Sequence, residues 1–157
     1  MVKINHFIRV KGQPNSGKTT TITWSFLKLL TEKRSNLKCL RYLEYGDFVA
    51  VIERNGKMIG FVSGGEAIDD GYEALCEMFE GEIEVCVFAT RTHGGSKTTL
   101  EKILRENDKQ EADVIFNSGW IDMMKETQEQ MVEVKEEVAN ELQKRSDELL
   151  ERIKEYL

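Results

Sequence analysis

The stretch that most constrains the fold is Gly12-Gln13-Pro14-Asn15-Ser16-Gly17-Lys18-Thr19, because of what flanks it. Before it, His6 to Val10 is an apolar run that reads as a short strand. After it, Lys18 to Glu32 is good helix material, with Ile22, Phe26, Leu29 and Leu30 on one face. Strand, glycine-rich loop and helix are the first part of a βαβ unit, and such units build parallel sheets.

The rest of the chain continues the alternation. Leu37 to Leu43 predicts a strand. Asp47 to Glu53 and Lys57 to Ser63 are β-branched and aromatic runs joined by Arg54-Asn55-Gly56, a strong hairpin signal. Ala67 to Phe79 predicts a helix with Ile68, Tyr72, Leu75 and Phe79 on one face. Glu82 to Ala89 predicts a buried strand, Thr98 to Glu106 a helix, and Asp113 to Asn117 a last strand. The expected fold is α/β: five or six strands, mostly parallel with an antiparallel hairpin, and helices on both faces. Residues 121–157 contain no Gly or Pro and predict a long C-terminal helix. Its stripe of Ile121, Met124, Met131, Val134, Val138, Leu142, Leu149, Ile153 and Leu157 is interrupted by Gln128, Lys135 and Arg145, which argues against a strict coiled coil. Two uses of the stripe stand: packing of its first part on the sheet, or association of its distal end with a second copy or a partner protein. The chain thus divides into a 1–120 body and a 121–157 helix.

The opening loop has residue types suited to an anion. Glycines at 12 and 17 permit close backbone approach, and successive N–H groups can converge on phosphate oxygens. The following helix adds its positive end. Lys18 can bridge phosphates as a compact charge, and the Thr19 hydroxyl suits Mg²⁺. Pro14, the chain's one proline, stiffens the loop. The eight residues match G-x-x-x-x-G-K-[ST] at every fixed position.

On those residues, with Thr20 and Thr21 continuing a Thr-rich helix start, the chain resembles the P-loop nucleoside triphosphatase superfamily. About nine residues match strongly, and the first 120 match in element order. The resemblance implies a three-layer sandwich, with Gly12, Gln13, Pro14, Asn15, Ser16, Gly17, Lys18, Thr19 and Thr20 cradling a nucleoside triphosphate. It implies Mg²⁺ as cofactor and often γ-phosphate transfer. No Asn-Lys-x-Asp tetrapeptide is present, which favours ATP over GTP.

The chain departs from that superfamily in its second acidic site. No apolar strand ends directly in Asp. The nearest element is Met58-Ile59-Gly60-Phe61-Val62-Ser63-Gly64-Gly65-Glu66, strand then glycine turn then acid. Glu66 is a candidate base and water-mediated metal ligand, with Ser63 adding a hydroxyl; equally, Glu66 starts the next helix, where the dipole favours an acid. Asp47, at Tyr45-Gly46-Asp47, is a further metal candidate or plain turn chemistry. Asp69 and Asp70 read as a solvated helix face. Arg91 follows a strand end, where ligand crevices form in parallel sheets, and is a candidate for contact with the transferring phosphate. Gly94 and Gly95 would let that loop close and Lys97 adds charge; His93 reads as exposed. Trp120 either stacks on a base or packs under the long helix.

Charge and cysteines narrow the functions. The net charge is −6, and from Ile121 onward 11 acids against 6 bases hold −5 of it. An acidic chain is a poor match for sequence-independent nucleic-acid binding. No membrane-length apolar run and no signal peptide is apparent, so a cytoplasmic protein is expected. Cys39, Cys76 and Cys86 are predicted to be buried reduced thiols. Three functions fit: hydrolysis of a nucleoside triphosphate, phosphoryl transfer to a small molecule or nucleotide, and a non-enzymatic nucleotide-binding module.

Overall fold

Two consecutive residues in the left-handed region, Asn55 at φ 51° and Gly56 at φ 79°, reverse the chain between two strands. That turn matches the right-handed twist of a hairpin, and Asn-Gly adopts it at least cost. The strands it joins are β3 (Phe48–Arg54) and β4 (Lys57–Val62). In the computed structural model, residues 2–12, 17–64, 68–91, 95–117 and 131–157 are described, with the main chain alone for 45 and 131–135. Gln13 to Ser16, Glu66, His93, Gly94, Trp120, Ile121, Met124 and Gln128 lie outside the described residues.

The other elements are β1 (Val2–Gly12), α1 (Lys18–Thr31), β2 (Ser35–Tyr42), α2 (Ile68–Met78), β5 (Gly81–Arg91), α3 (Gly95–Glu106), β6 (Val114–Asn117) and α4 (Met131–Lys154). β1 and β5 are longer than the sequence suggests. Val2 and Ile4 pair with Gly81 and Ile83, carrying the ladder below the apolar centre. α3 begins at Gly95, so this glycine is helical rather than part of a closing loop.

The strands form one sheet in the order β2-β3-β4-β5-β1-β6. β4, β5, β1 and β6 are mutually parallel; β3 runs against both its neighbours. Helices cover both faces. On one, Ile22, Phe26 and Leu29 of α1 and Leu149, Leu150 and Ile153 of α4 pack on Ile8, Val10, Val85 and Val87. On the other, Leu75 of α2 and Leu100, Ile103 and Leu104 of α3 pack on Phe7, Cys86 and Phe88. At Gly71 a Cβ would stand 2.6 Å from Val62 Cγ1, so α2 lies closer to β4 than a larger residue allows.

The distal half of α4 is buried on the sheet beside α1; the expected packing of the first part of the 121–157 stretch falls on residues outside those described. The Ser25 hydroxyl lies 2.9 Å from the carbonyl oxygens of both Thr21 and Ser146. Small residues let the two helices approach. Lys28 pairs with Asp147 at 2.6 Å, and Glu32 with Lys154, so the helices run in the same direction. Tyr156 stacks on His6 with ring centroids 4.5 Å apart. The apolar stripe from Leu142 to Leu157 is therefore spent within the chain, whereas residues 136–141 are mostly exposed.

The cysteines differ among themselves. Cys86 is buried, and burial holds its thiol well above the ordinary pKa; Cys39 is half-buried. Cys76 is exposed, contrary to expectation, because its position on α2 turns it off the face that carries Leu75. Asp69 and Asp70 are exposed, as read. Among the described residues no helix is long and apolar enough to cross a membrane.

Two outcomes follow from this packing. Ile153→Ala, at a fully buried site, should cost about 2–5 kcal/mol in chemical denaturation; Ile115→Ala, on the exposed edge strand, should change stability by under about 0.5 kcal/mol. Asp113 gives a pH dependence. Burial alone would raise its pKa, but it accepts the Phe7 N–H at 2.8 Å and pairs with Lys109 at 3.0 Å, and the net shift is downward. The stability it contributes is thus full above the ordinary carboxylate pKa of about 3.9 and is lost as pH falls through the lower folded value. Asp113→Asn should flatten that acid limb of a stability-against-pH curve.

Candidate functional site

Because β2, β4, β5, β1 and β6 run the same way, their C-terminal ends share one edge of the sheet, and the antiparallel β3 begins there. Gly12 ends β1, Val62 ends β4, Arg91 ends β5 and Asn117 ends β6. Gly12 registers with Arg91, and its neighbour Lys11 with Asn117. Helices α1, α2 and α3 all start at this edge. Loops at such an edge are where α/β folds form ligand crevices.

The chain leaves the sheet at Gly12 and enters α1 at Lys18. Gly17, preceding the helix, has φ 86° and ψ 15°, a left-handed conformation that costs a side-chain-bearing residue about 1–2 kcal/mol. The glycine carries no side chain to cap the helix, and the first turn of α1 contains no acid. Lys18 is only 9% exposed, and its Nζ donates to the Gly12 carbonyl at 2.8 Å. A cation is thereby held across the mouth of the segment joining β1 to α1. Burying it in this way requires partners, since an unpaired buried charge is costly.

Next along α1, the Thr19 hydroxyl donates to Asp47 Oδ1 at 3.2 Å and lies 3.5 Å from the Ser63 carbonyl. Three elements far apart in sequence meet here. Asp47 is brought in by the start of the hairpin. A 3-10 turn at Glu44–Gly46 ends with the Asp47 N–H donating to Glu44, and the Leu43 N–H donates to the Asp47 carbonyl at 2.8 Å. Phe48, the next residue, is tied to Ser63 twice. Its N–H donates to Ser63 Oγ at 2.8 Å, and the Ser63 N–H donates to its carbonyl at 3.0 Å. Gly64 completes the fit: a Cβ there would stand 3.2 Å from Asp47 Oδ2.

This geometry sorts the candidates. Gly12, Gly17, Lys18, Thr19, Thr20, Asp47 and Arg91 all lie at the same edge. The fit of Asp47 against Thr19 lifts it above its turn role. Ser63 differs from its reading. Its hydroxyl is fully buried and accepts a main-chain N–H, so it anchors the hairpin, and the carbonyl is the group near Thr19. Gly64 and Arg9 were not singled out from the sequence. The signal for Arg9 was a charge between Ile8 and Val10 in an interior strand, which must find buried partners.

Chemically, the edge sets a cation and a helix N-terminus beside a hydroxyl–carboxylate pair. The first two attract anions. The pair offers hard oxygen donors. No group of three or more His, Cys, Asp or Glu side chains suited to a metal occurs among the described residues. No protein-family model, curated protein or solved structure matches the chain.

The contact between Thr19 and Asp47 should appear as a coupling energy. In a double-mutant cycle of Thr19→Val and Asp47→Ala, read by urea denaturation, the two losses should fail to add by about 0.5–1.5 kcal/mol. Simple additivity would mean that the pair does not interact in solution.

Proposed function

We propose that this chain is a Mg²⁺-dependent nucleoside triphosphatase, with ATP the preferred substrate. The observation that carries this reading is the Thr19–Asp47 pair beside the buried Lys18 ammonium. A glycine-bracketed loop alone is a common turn. A loop whose lysine reaches the carbonyl of Gly12, and whose next hydroxyl meets a carboxylate from a distant strand, has the parts for a phosphate and a hard cation side by side.

In this reading residues 12–20 bind the polyphosphate through main-chain N–H groups and the α1 terminus. Lys18 shifts its donor from the Gly12 carbonyl to phosphate oxygens, so binding replaces one hydrogen bond with charge-assisted ones. Thr19 and Asp47 would hold Mg²⁺, which commonly takes one or two protein oxygens and leaves the rest of its shell to phosphates and water. That small donor set agrees with the one carboxylate, Asp47, that meets Thr19 among the described residues. When bound, Mg²⁺ neutralises charge on the phosphates and orients them. Arg91, at the end of β5, meets the terminal phosphate and stabilises charge that develops in transfer. Glu66 remains the sequence candidate for orienting the attacking water. Lys18, Arg91 and Glu66 are the catalytic residues of this proposal.

The test is thermal unfolding with ATP, GTP and ADP, with and without Mg²⁺, followed by phosphate release. Ligand at a hundred times its Kd should stabilise by about 2.7 kcal/mol, a rise of several degrees for a domain of this size. Lys18→Ala should lose the rise altogether, and Asp47→Asn should lose its Mg²⁺-dependent part. Phosphate release without an acceptor supports hydrolysis. Release only with an added acceptor would make the chain a kinase, and binding without turnover would make it a nucleotide-binding module. No rise with any nucleotide would overturn the reading.

A further inference from the structure

Arg9 sits in β1, an interior strand next to the edge, flanked by Ile8 and Val10, which are fully buried on the α1 side of the sheet. Side chains alternate along a strand, so Arg9 points to the opposite side, that of α2 and α3. There its Nε donates to Thr90 Oγ1 at 2.7 Å and its Nη2 donates to the Arg91 carbonyl at 3.1 Å. Thr90 is fully buried. Burial pulls the Arg9 pKa down and the Glu101 carboxylate pushes it up; a guanidinium stays charged at neutral pH in either case.

The second main-chain group of Arg91 is also held. Its N–H donates to Ser96 Oγ at 2.9 Å, and buried Ser96 belongs to the first turn of α3. Carbonyl and N–H of one residue are thus fixed by two different elements. The Arg91 side chain alternates with Val87 and Ala89, which belong to the core on the α1 side. The backbone is gripped from one side while the side chain is directed to the other, level with Gly12 in the strand register.

Resting on the nucleotide reading above, we propose that Arg9 is a positioning residue: it holds the Arg91 main chain so that the Arg91 guanidinium is preorganised toward the terminal phosphate of a bound nucleoside triphosphate. The planar fork of arginine meets the two acceptors with two separate nitrogens in fixed geometry, whereas lysine would have to reach both from one nitrogen on a flexible stem. Preorganisation matters here because a donor fixed in advance needs no reorganisation when charge develops, and small misplacements are costly in rate.

The experiment is calorimetric titration of the full chain with Mg²⁺-ATP and Mg²⁺-ADP. The variants are Arg9→Met, Arg9→Lys, Thr90→Val, Arg91→Ala and the double variant Arg9→Met/Arg91→Ala. Each is first checked by thermal unfolding without nucleotide. The wild type should prefer ATP. Arg91→Ala should weaken ATP about tenfold while leaving ADP nearly unchanged. Arg9→Met should reproduce that selective loss, the double variant should be no worse than Arg91→Ala, and Arg9→Lys should fall between. If Arg9→Met does not fold, Thr90→Val, which removes one acceptor and keeps the shape, is read in the same way. An unchanged ATP-to-ADP ratio in Arg9→Met, or additive losses in the double variant, would overturn the positioning role. So would a silent Arg91→Ala in a chain that binds ATP well, and the nucleotide reading would then still stand. A wild type that binds neither nucleotide removes both proposals together.

Discussion

Everything at the candidate site hangs on β1 having a hydrogen-bonded partner on each side. With β5 on one flank and β6 on the other, the strand cannot slide or tilt without breaking two ladders. Its register fixes Gly12 opposite Arg91, and so fixes where the loop into α1 departs. Both faces of β1 are covered, which explains its apolar centre of Phe7, Ile8 and Val10, all fully buried. Arg9 is the exception within that run, and its cost is offset by hydrogen bonds to Thr90 and Arg91 at the end of the neighbouring strand.

The hairpin solves a second problem. β4 is parallel to β5 and ends near the site in a serine and a glycine, not an acid. The carboxylate comes instead from the start of β3, which is antiparallel and so begins where its neighbours end. The double hydrogen bond between Phe48 and Ser63 locks that arrangement, and the small size of Gly64 leaves room for the Asp47 side chain. The turn that leads into an antiparallel strand of a mostly parallel sheet thereby brings a carboxylate to Thr19.

This explains how far the sequence could be read. The hairpin was legible because Asn55-Gly56 has one economical conformation between β-prone runs. The helices were legible because periodicity states which face is apolar. Periodicity does not state what covers that face. The α4 stripe therefore fitted either the sheet or a partner, and only the fold shows that its distal half, from Leu142 on, is covered by α1 and the sheet. The small residues Ser25 and Ser146, which let α1 and α4 approach, give no apolar signal. Spacing alone singles out Lys18 and Thr19 as candidates but does not state what they meet. Asp47 was not decided, since Gly-Asp is turn chemistry in most sequences, and only the strand order brings it to Thr19. Nor could spacing reveal that the Ser63 hydroxyl is spent on the hairpin, because that depends on the register of β3 against β4.

The polarity of the fold bears on how an acidic chain can host an anion. The three helices that follow parallel strands all point their N-termini at the site edge, and α4 runs in the same direction as α1. Their positive dipole ends therefore gather on one side of the molecule, together with Lys18 and Arg91. Glu82 and Glu84, which accept from Asn5, and Asp113, which accepts from Phe7, lie toward the other edge, while Asp47, Asp69 and Asp70 sit at the site edge itself. Most of the net charge of −6 belongs to residues from 121 onward. Beyond about 8 Å at physiological ionic strength such surface charge is largely screened, while dipoles and a buried ammonium act at contact distance in a poorer dielectric. At contact distance the local field at the edge, set by strand direction, helix ends and the side chains there, therefore outweighs the charge carried by distant surface residues.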